Sequence, residues 1–344
     1  MNTALLNLVY FFGTGLLLWL GYRLYRSRKL YLSRPQRQKA LTEDILKQLF
    51  HVAESGRTAT LSDLSGALQI SRKKLLPMIE KMAHQGWLHN TNETLELTPQ
   101  GRDYALKIVR THRLWEKYLA EKTGHHPAEW HQLAEIKEHE LSEEQIKQLS
   151  RKLGSPLFDP HGDPIPTAQG EIMPVKWRPL PAWPVGKPGK IAHIEDEPAI
   201  VYRQILAARL FVGSHLKVLS STAAEISFAC EGRIHRLSPI VAANIHVEPL
   251  APDEPYLADA TRLSSLNYGE KAEIVGISQE CRGASRRRLL DLGILPGTKV
   301  EVDLKSPLGD PVAYKIRNTS IALRQELADK ILIKKLKNER SNGQ

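Results

Sequence analysis

The sequence predicts a multidomain chain: one N-terminal transmembrane helix, an α-helical winged helix-turn-helix, a further helical domain rich in metal-ligand side chains, and two small all-β barrels. Three observations carry that expectation: an uncharged apolar run near the start, a helix, short helix, helix, hairpin pattern from Leu41 onward, and an internal repeat beyond a proline-rich stretch. At 344 residues the chain is long enough for two or three separate cores. With 42% hydrophobic and 25% charged residues it is neither collagenous, low-complexity nor disordered by composition. Cys230 and Cys281 are its only cysteines, with no CxxC pair, which excludes a disulfide framework and a thiolate zinc site and fits a reducing, cytosolic setting.

From Ala4 to Tyr22 the run ALLNLVYFFGTGLLLWLGY carries no charge. As a helix it would be roughly 29 Å long, enough for the hydrocarbon core. No basic segment precedes it and no small-x-small cleavage site follows, so a transmembrane helix over residues 1–22 is favoured above a removed signal peptide. Arg23, Arg26, Arg28, Lys29, Arg34, Arg37 and Lys39 follow with no acidic residue among them, and the positive-inside rule puts that side in the cytoplasm. The expectation is a single-pass protein of the inner (cytoplasmic) membrane, with its soluble domains in the cytoplasm and residues 23–39 as a juxtamembrane anchor on anionic lipid. That run supplies seven of the net +10 charges and leaves +3 for everything else, so the basic balance says little about nucleic acid.

Residues 40–108 read as the winged helix-turn-helix. LTEDILKQLFHVAES is amphipathic at helical spacing, LSDLSGALQI and SRKKLLPMIEKMAHQGWL give two more apolar-faced helices, and WLHNTNETLELT alternates as a hairpin does before PQGRDYALKIVRTHRLWEKYLAEKTG opens a long helix. Ser71, Arg72, Lys73 and Lys74 open the expected recognition helix, Ser71 as its N-cap and the three cations for phosphates or guanine edges. Leu76 and Pro77 stand against that role: Pro77 falls about six positions in, where it removes a backbone hydrogen bond. The pattern also leaves open, as the lesser alternative, a unit that keeps the fold and has lost specific DNA binding.

Between Pro164 and Pro188 the chain holds seven of its 21 prolines, which marks a semi-rigid connector at 166–184. Beyond it LAARLFVGSHLKV (206–218) aligns without gaps with LDLGILPGTKVEV (290–302), and AANIHV (242–247) with ADKILI (328–333). Short β-branched runs between glycine turns make each copy a small β-barrel, with Gly213 and Gly297 at matching turns.

Ligand-type side chains concentrate from His112 onward. His112 and Glu116 share one helix face at i, i+4, and His131, Glu135, Glu138 and His139 share another at i, i+4, i+7, i+8. Imidazole and carboxylate without thiolate suit Mn²⁺, Fe²⁺, Co²⁺ or Zn²⁺. Spacing alone also fits a solvated, charged helix face with incidental histidines.

Three ordered motifs, LTPQGRDYALKIVRTHRLWEKYLAE, EWHQLAEIKEHELSEE and SPLFDPHGDPIPT, resemble the metal-dependent repressors of the diphtheria toxin repressor and manganese transport regulator family over about residues 41–166. The resemblance implies a homodimer in which Mn²⁺ or Fe²⁺ locks a DNA-binding geometry, with residues 109–165 as the metal-binding and dimerisation domain. It implies a primary-type metal site on Asp44, Glu135, Glu138 and His139 and an ancillary-type site on His112, Glu116 and His131. Asp44 and Glu135 replace the Met and Cys of iron-type members, a hard donor set that resembles the manganese branch, although Lys47 stands where that branch has a glutamate. The segment Leu266–Ile333, with RRLLDLGILPG, GDPVAYKI and IALRQELADKI, is similar to the SH3-like domain of the ferrous iron transport A type, placed at 262–335, and 185–250 resembles a diverged copy of it. In the repressor family such a barrel can lend a carboxylate to the ancillary metal, and Glu195, Asp196 and Glu197 lie near the corresponding segment without aligning cleanly.

Two functions follow. The favoured one is a membrane-anchored, Mn- or Fe-dependent transcriptional regulator that binds operator DNA as a metal-activated dimer. The alternative is a membrane-bound metal-sensing module that regulates an iron or manganese transporter by protein contact, without specific DNA binding. With no nucleophile and base pair, no phosphate loop and no HExxH, the chain is not expected to be an enzyme.

Overall fold

The computed structural model describes Thr14, Trp19, residues 34–91 and residues 94–336, and the chain divides into two units at Ile108/Val109. In the first unit, α1 (Arg34–Glu54) buries Ile45, Leu46, Leu49 and Phe50 along one helical stripe. After β1 (Ala59–Thr60), α2 (Leu61–Ala67) starts on a capping box: the Asp63 N–H donates to the Thr60 hydroxyl, and the Asp63 carboxylate accepts from the Thr60 N–H. Helix α3 (Arg72–His84) buries Leu75, Ile79 and Met82, and β2 (Leu88–Thr91) and β3 (Thr94–Leu97) complete an antiparallel sheet in the order β1-β3-β2. This is a winged helix-turn-helix. Helix α4 (Pro99–Lys122) begins against the wing, where Gly101 packs so tightly that an added Cβ would lie 1.8 Å from the Trp87 carbonyl oxygen.

Two details of α3 differ from expectation. Ser71 holds the N-cap position with extended backbone, but its side chain makes no capping bond. Pro77 lies inside the helix and does not end it, because its ring is on the exposed side, where water solvates the carbonyl that loses its partner.

The second unit continues α4 and adds α5 (Trp130–Glu138) and α6 (Glu143–Lys152), the latter on a Ser142/Gln145 capping box. Leu114, Leu149 and Ile165 form a small core between them. An irregular stretch leads to two six-stranded sheets with the same topology. The first contains β4 (Arg178–Pro179), β5 (Pro188–Ile194), β6 (His215–Ser221), β7 (Ile226–Cys230), β8 (Arg233–Leu237) and β9 (Ile245–Glu248), in the order β4-β9-β5-β6-β7-β8. The second contains β10 (Thr261–Arg262), β11 (Lys271–Ile277), β12 (Lys299–Lys305), β13 (Val312–Ile316), β14 (Thr319–Leu323) and β15 (Ile331–Lys335), in the order β10-β15-β11-β12-β13-β14. Gly213 and Gly297 take matching positive φ values of 88° and 83°, and their N–H groups donate to Ile191 and Ile274. Neither copy is all-β: α7 (Ala199–Ala207) packs Tyr202 and Ile205 into the first core, α9 (Gly283–Asp291) packs Leu289 into the second, and α8 (Pro239–Ala242) and α10 (Gln325–Ala328) precede the last strands. Helices this short give too little periodicity to be read from sequence.

The transmembrane expectation is corrected. Among the described residues no helix is long and apolar enough to cross a membrane. Helices α1 and α4 have the length, but Lys, Arg, Glu and Asp recur along both, each costing about 3 kcal/mol at a bilayer centre. The run Ala4–Tyr22, apart from Thr14 and Trp19, lies outside the described residues, as does the juxtamembrane run before Arg34. The single-pass architecture, the inner-membrane localisation and the membrane as a partner are therefore withdrawn.

Candidate metal centre

Helical spacing sets the first donors. On α4, His112 and Glu116 are one turn apart and buried, with His112 Nε2 3.2 Å from Glu116 Oε1. On α5, His131 brings Nδ1 to 3.7 Å from the same oxygen. The other His112 nitrogen, Nδ1, is 2.5 Å from Oε2 of the buried Glu138, and His139 Nε2 is 3.6 Å from Glu138 Oε1. His112 thus joins the ancillary-type residues to Glu138 and His139 of the primary-type set. Glu135 is exposed, 3.5 Å from His131 Nε2. Asp44, half-buried on α1, belongs to the first unit, as do Ser71, Arg72, Lys73 and Lys74, all four exposed at the start of α3.

The irregular segment adds donors that helical periodicity could not reveal. In the turn Asp159-Pro160-His161-Gly162-Asp163, Asp159 Oδ1 accepts from the N–H groups of His161, Gly162 and Asp163 at 2.8 to 2.9 Å. That leaves Oδ2 available to the cluster. Arg113 clamps the turn to α4, donating to the Pro164 carbonyl at 2.7 Å and to Asp163 Oδ1 at 3.0 Å. Gly162 has φ +99° and a Cβ there would meet the Ala192 carbonyl oxygen at 2.0 Å, so the turn lies flat on β5, and the Ile194 N–H donates to the His161 carbonyl. This contact brings His161 Nδ1 to 3.7 Å from Glu116 Oε2 and Asp196 Oδ2 to 2.8 Å from His131 Nδ1. Asp159 and His161 lie in the SPLFDPHGDPIPT motif, which carries the resemblance but has no helical period to mark them as ligands. For Asp196 the signal was proximity to the segment that a barrel would present.

The electrostatics are those of a cage without enough counter-charge of one sign. Burial works against ionised Glu116, yet the facing His112 and His161 hold its carboxyl well below the usual range. Burial likewise opposes the charge on His131 and His161, but the carboxylates of Asp196 and Glu116 push His131 up to about 12, and Glu116 raises His161 to about 10. Asp159 is raised to about 7 by burial and by Asp163 and Glu116. Many of these contacts are close but out of line: Glu116 Oε1, His131 Nδ1 and His161 Nε2 are buried without a well-directed hydrogen bond. Buried polar atoms left so cost free energy unless another partner takes them up. His112, Glu116 and His131, and likewise Glu116, Asp159 and His161, each offer ligand atoms within 4.8 Å of one another. A hard or borderline divalent cation fits this nitrogen and oxygen set.

A family model described as iron-dependent repressor, metal binding and dimerisation domain matches residues 98–167, and the FeoA domain matches 261–335. Iron-dependent repressor IdeR of Mycobacterium leprae is 32% identical over 126 residues, 36% of this chain and 55% of that protein. The diphtheria toxin repressor of Corynebacterium glutamicum is 30% identical over 132 residues, 38% of this chain and 58% of that protein. The chain thus spans little more than half the length of these curated relatives. A manganese-dependent transcriptional repressor solved in complex with manganese aligns over its full length with 61% of this chain, at 33% identity and a TM-score of 0.56. A winged helix followed by a buried imidazole and carboxylate cluster defines the class of metal-responsive regulators. The chain belongs to the metal-dependent repressor family of the diphtheria toxin repressor and manganese repressor type, and it carries a FeoA domain at 261–335.

Proposed function

We propose that this chain is a metal-activated transcriptional repressor that binds operator DNA as a homodimer when Mn²⁺ or Fe²⁺ is present. The observation that carries the reading is the set of buried, poorly satisfied donor atoms on Glu116, His131 and His161, inside the region similar to a metal-binding and dimerisation domain. His112, Glu116 and His131, with Asp159, His161 and Asp196, would hold an ancillary-type ion, and Asp44, Glu135, Glu138 and His139 a primary-type ion. A bound ion supplies a compact double positive charge that Glu116 and Asp196 otherwise find in protonated imidazole. Arg72, Lys73 and Lys74 are exposed at the N-terminal end of α3, the end that a recognition helix presents to base edges and phosphates.

The test is operator selection from random DNA with the full chain, with and without Mn²⁺ or Fe²⁺, followed by anisotropy over a salt series. Metal-dependent, sequence-specific retention is expected, and Lys73→Ala should flatten the log K against log salt slope by about 0.9 per lost phosphate contact. Metal binding without any specific DNA binding would refute the repressor reading and favour regulation by protein contact.

A further inference from the structure

We propose that the first barrel carries a second divalent-metal site of the imidazole-preferring class, Zn²⁺ foremost, formed by His193 on β5, His246 on β9 and Glu195 just beyond β5. His193 and His246 are direct cross-strand partners. Their Nδ1 atoms point at each other across 3.1 Å, and the Glu195 carboxylate offers a third ligand atom within 4.8 Å of both. Two imidazole nitrogens bound at about 2.1 Å to one tetrahedral Zn²⁺ stand roughly 3.4 Å apart. The pair therefore needs to open by only a few tenths of an ångström to admit an ion.

The supporting shell is also in place. The far nitrogen of His193, Nε2, lies 3.2 Å from Asp163 Oδ2, a carboxylate-histidine arrangement that fixes the tautomer and leaves Nδ1 with its lone pair directed at the site. Trp177 stacks on the His193 ring at 4.9 Å and 14°, holding its plane and covering it from solvent.

The second barrel serves as an internal control. Both copies carry the same register shift, between Ile191 and His193 in one and between Ile274 and Gly276 in the other. At the positions of His193 and His246 the second copy pairs Gly276 with Leu332. The bulge belongs to the fold, whereas the two histidines are additions that the fold does not need. Bulges re-aim side chains, and this one turns His193 toward its partner strand.

The experiment uses the full chain, stripped with chelator and titrated with Zn²⁺ or Co²⁺, reading bound metal per chain by equilibrium dialysis and Co²⁺ absorption. His246→Gln should lose one equivalent per chain with its absorption band. Glu195→Gln, at an exposed position that leaves folding unaltered, should weaken that same equivalent tenfold or more. Equivalents that depend on Glu116 should survive in both variants, which also verifies their folding, and if those equivalents were missing from the wild type while the His246-dependent one remained, only the repressor reading would fail. Equal stoichiometry and affinity in wild type and both variants, or an extra equivalent that binds only at millimolar metal, would overturn the site and leave a histidine pair joined by a hydrogen bond.

Discussion

Glu116→Gln is the sharpest perturbation of the proposed centre, because one carboxylate stands within 3.2 to 3.7 Å of three imidazoles and is nearly sealed from water. The amide keeps the volume and removes the charge. With metal at about 100 times its Kd, binding stabilises the wild type by about 2.7 kcal/mol. In a unit the size of Val109–Gln344 that corresponds to a rise in Tm of roughly 5 to 11 °C. Loss of an outer-shell partner alone costs up to about 100-fold in affinity, and Glu116 is placed to bind directly. At the same metal concentration a 100-fold loss leaves about 0.4 kcal/mol, or a rise of about 1 to 2 °C. Differential scanning calorimetry with and without Mn²⁺ measures the contrast. Imidazole titration by NMR of the metal-free proteins supplies a second readout: His161, raised to about 10 chiefly by Glu116, should fall most once Glu116 is neutral, while His131, raised first by Asp196, should fall less. An unaltered metal shift together with unaltered titrations would refute the reasoning.

Three further outcomes are expected. In metal-free protein the raised His131 and His161 contribute stability that is complete below their ordinary 6.5 and lost as pH climbs through the folded values, while depressed Glu116 contributes above its ordinary 4.5 and loses it only in acid; Tm should therefore fall between pH 6.5 and 10, and a flat profile over that range would sink the assignment. Gly101→Ala drives a methyl group into the Trp87 carbonyl and should cost about 3 kcal/mol in denaturant titrations, the upper end for overpacking because the neighbour is backbone. Arg262, buried at the second barrel's first strand, donates to the Glu231 and Asp329 carbonyls and lies 3.7 Å from the buried Glu231 carboxylate; Arg262→Ala should cost about 3 to 5 kcal/mol, whereas a surface variant such as Arg236→Ala should be nearly neutral.

The legible part of the site lay on helices. His112, Glu116, His131, Glu138 and His139 follow the 3.6-residue period, and a period survives translation from sequence to space. Asp159 and His161 sit in a turn whose shape comes from three bonds to one carboxylate oxygen, and no period encodes that. Asp196 depends on a tertiary contact, the docking of β5 against the 159–163 turn. In the barrels the gapless repeat located the turns at Gly213 and Gly297, yet an all-β reading leaves no place for the nine-residue helices α7 and α9, since fewer than three turns of helix cannot outvote β-branched neighbours. The apolar run at Ala4–Tyr22 was read by length and charge alone, and the membrane that it suggested has no counterpart among the described helices.

The repeat also separates what the fold requires from what the function adds. Both copies keep the glycine turn, the hydrogen bond its N–H donates to a carbonyl of the first long strand, and the bulge that follows. Counting on from the bulge, His193, Glu195 and Asp196 of the first copy correspond to Gly276, Ser278 and Gln279 of the second. Three potential ligands in one copy are thus replaced by none in the other, at positions where backbone geometry is shared. Asp196 meets His131 of the α4 and α5 cluster, and His193 meets Asp163 of the turn that carries His161. The first barrel thus meets the cluster and its turn through His193 and Asp196, three residues apart in sequence, whereas the second keeps the same frame with neutral residues at both positions.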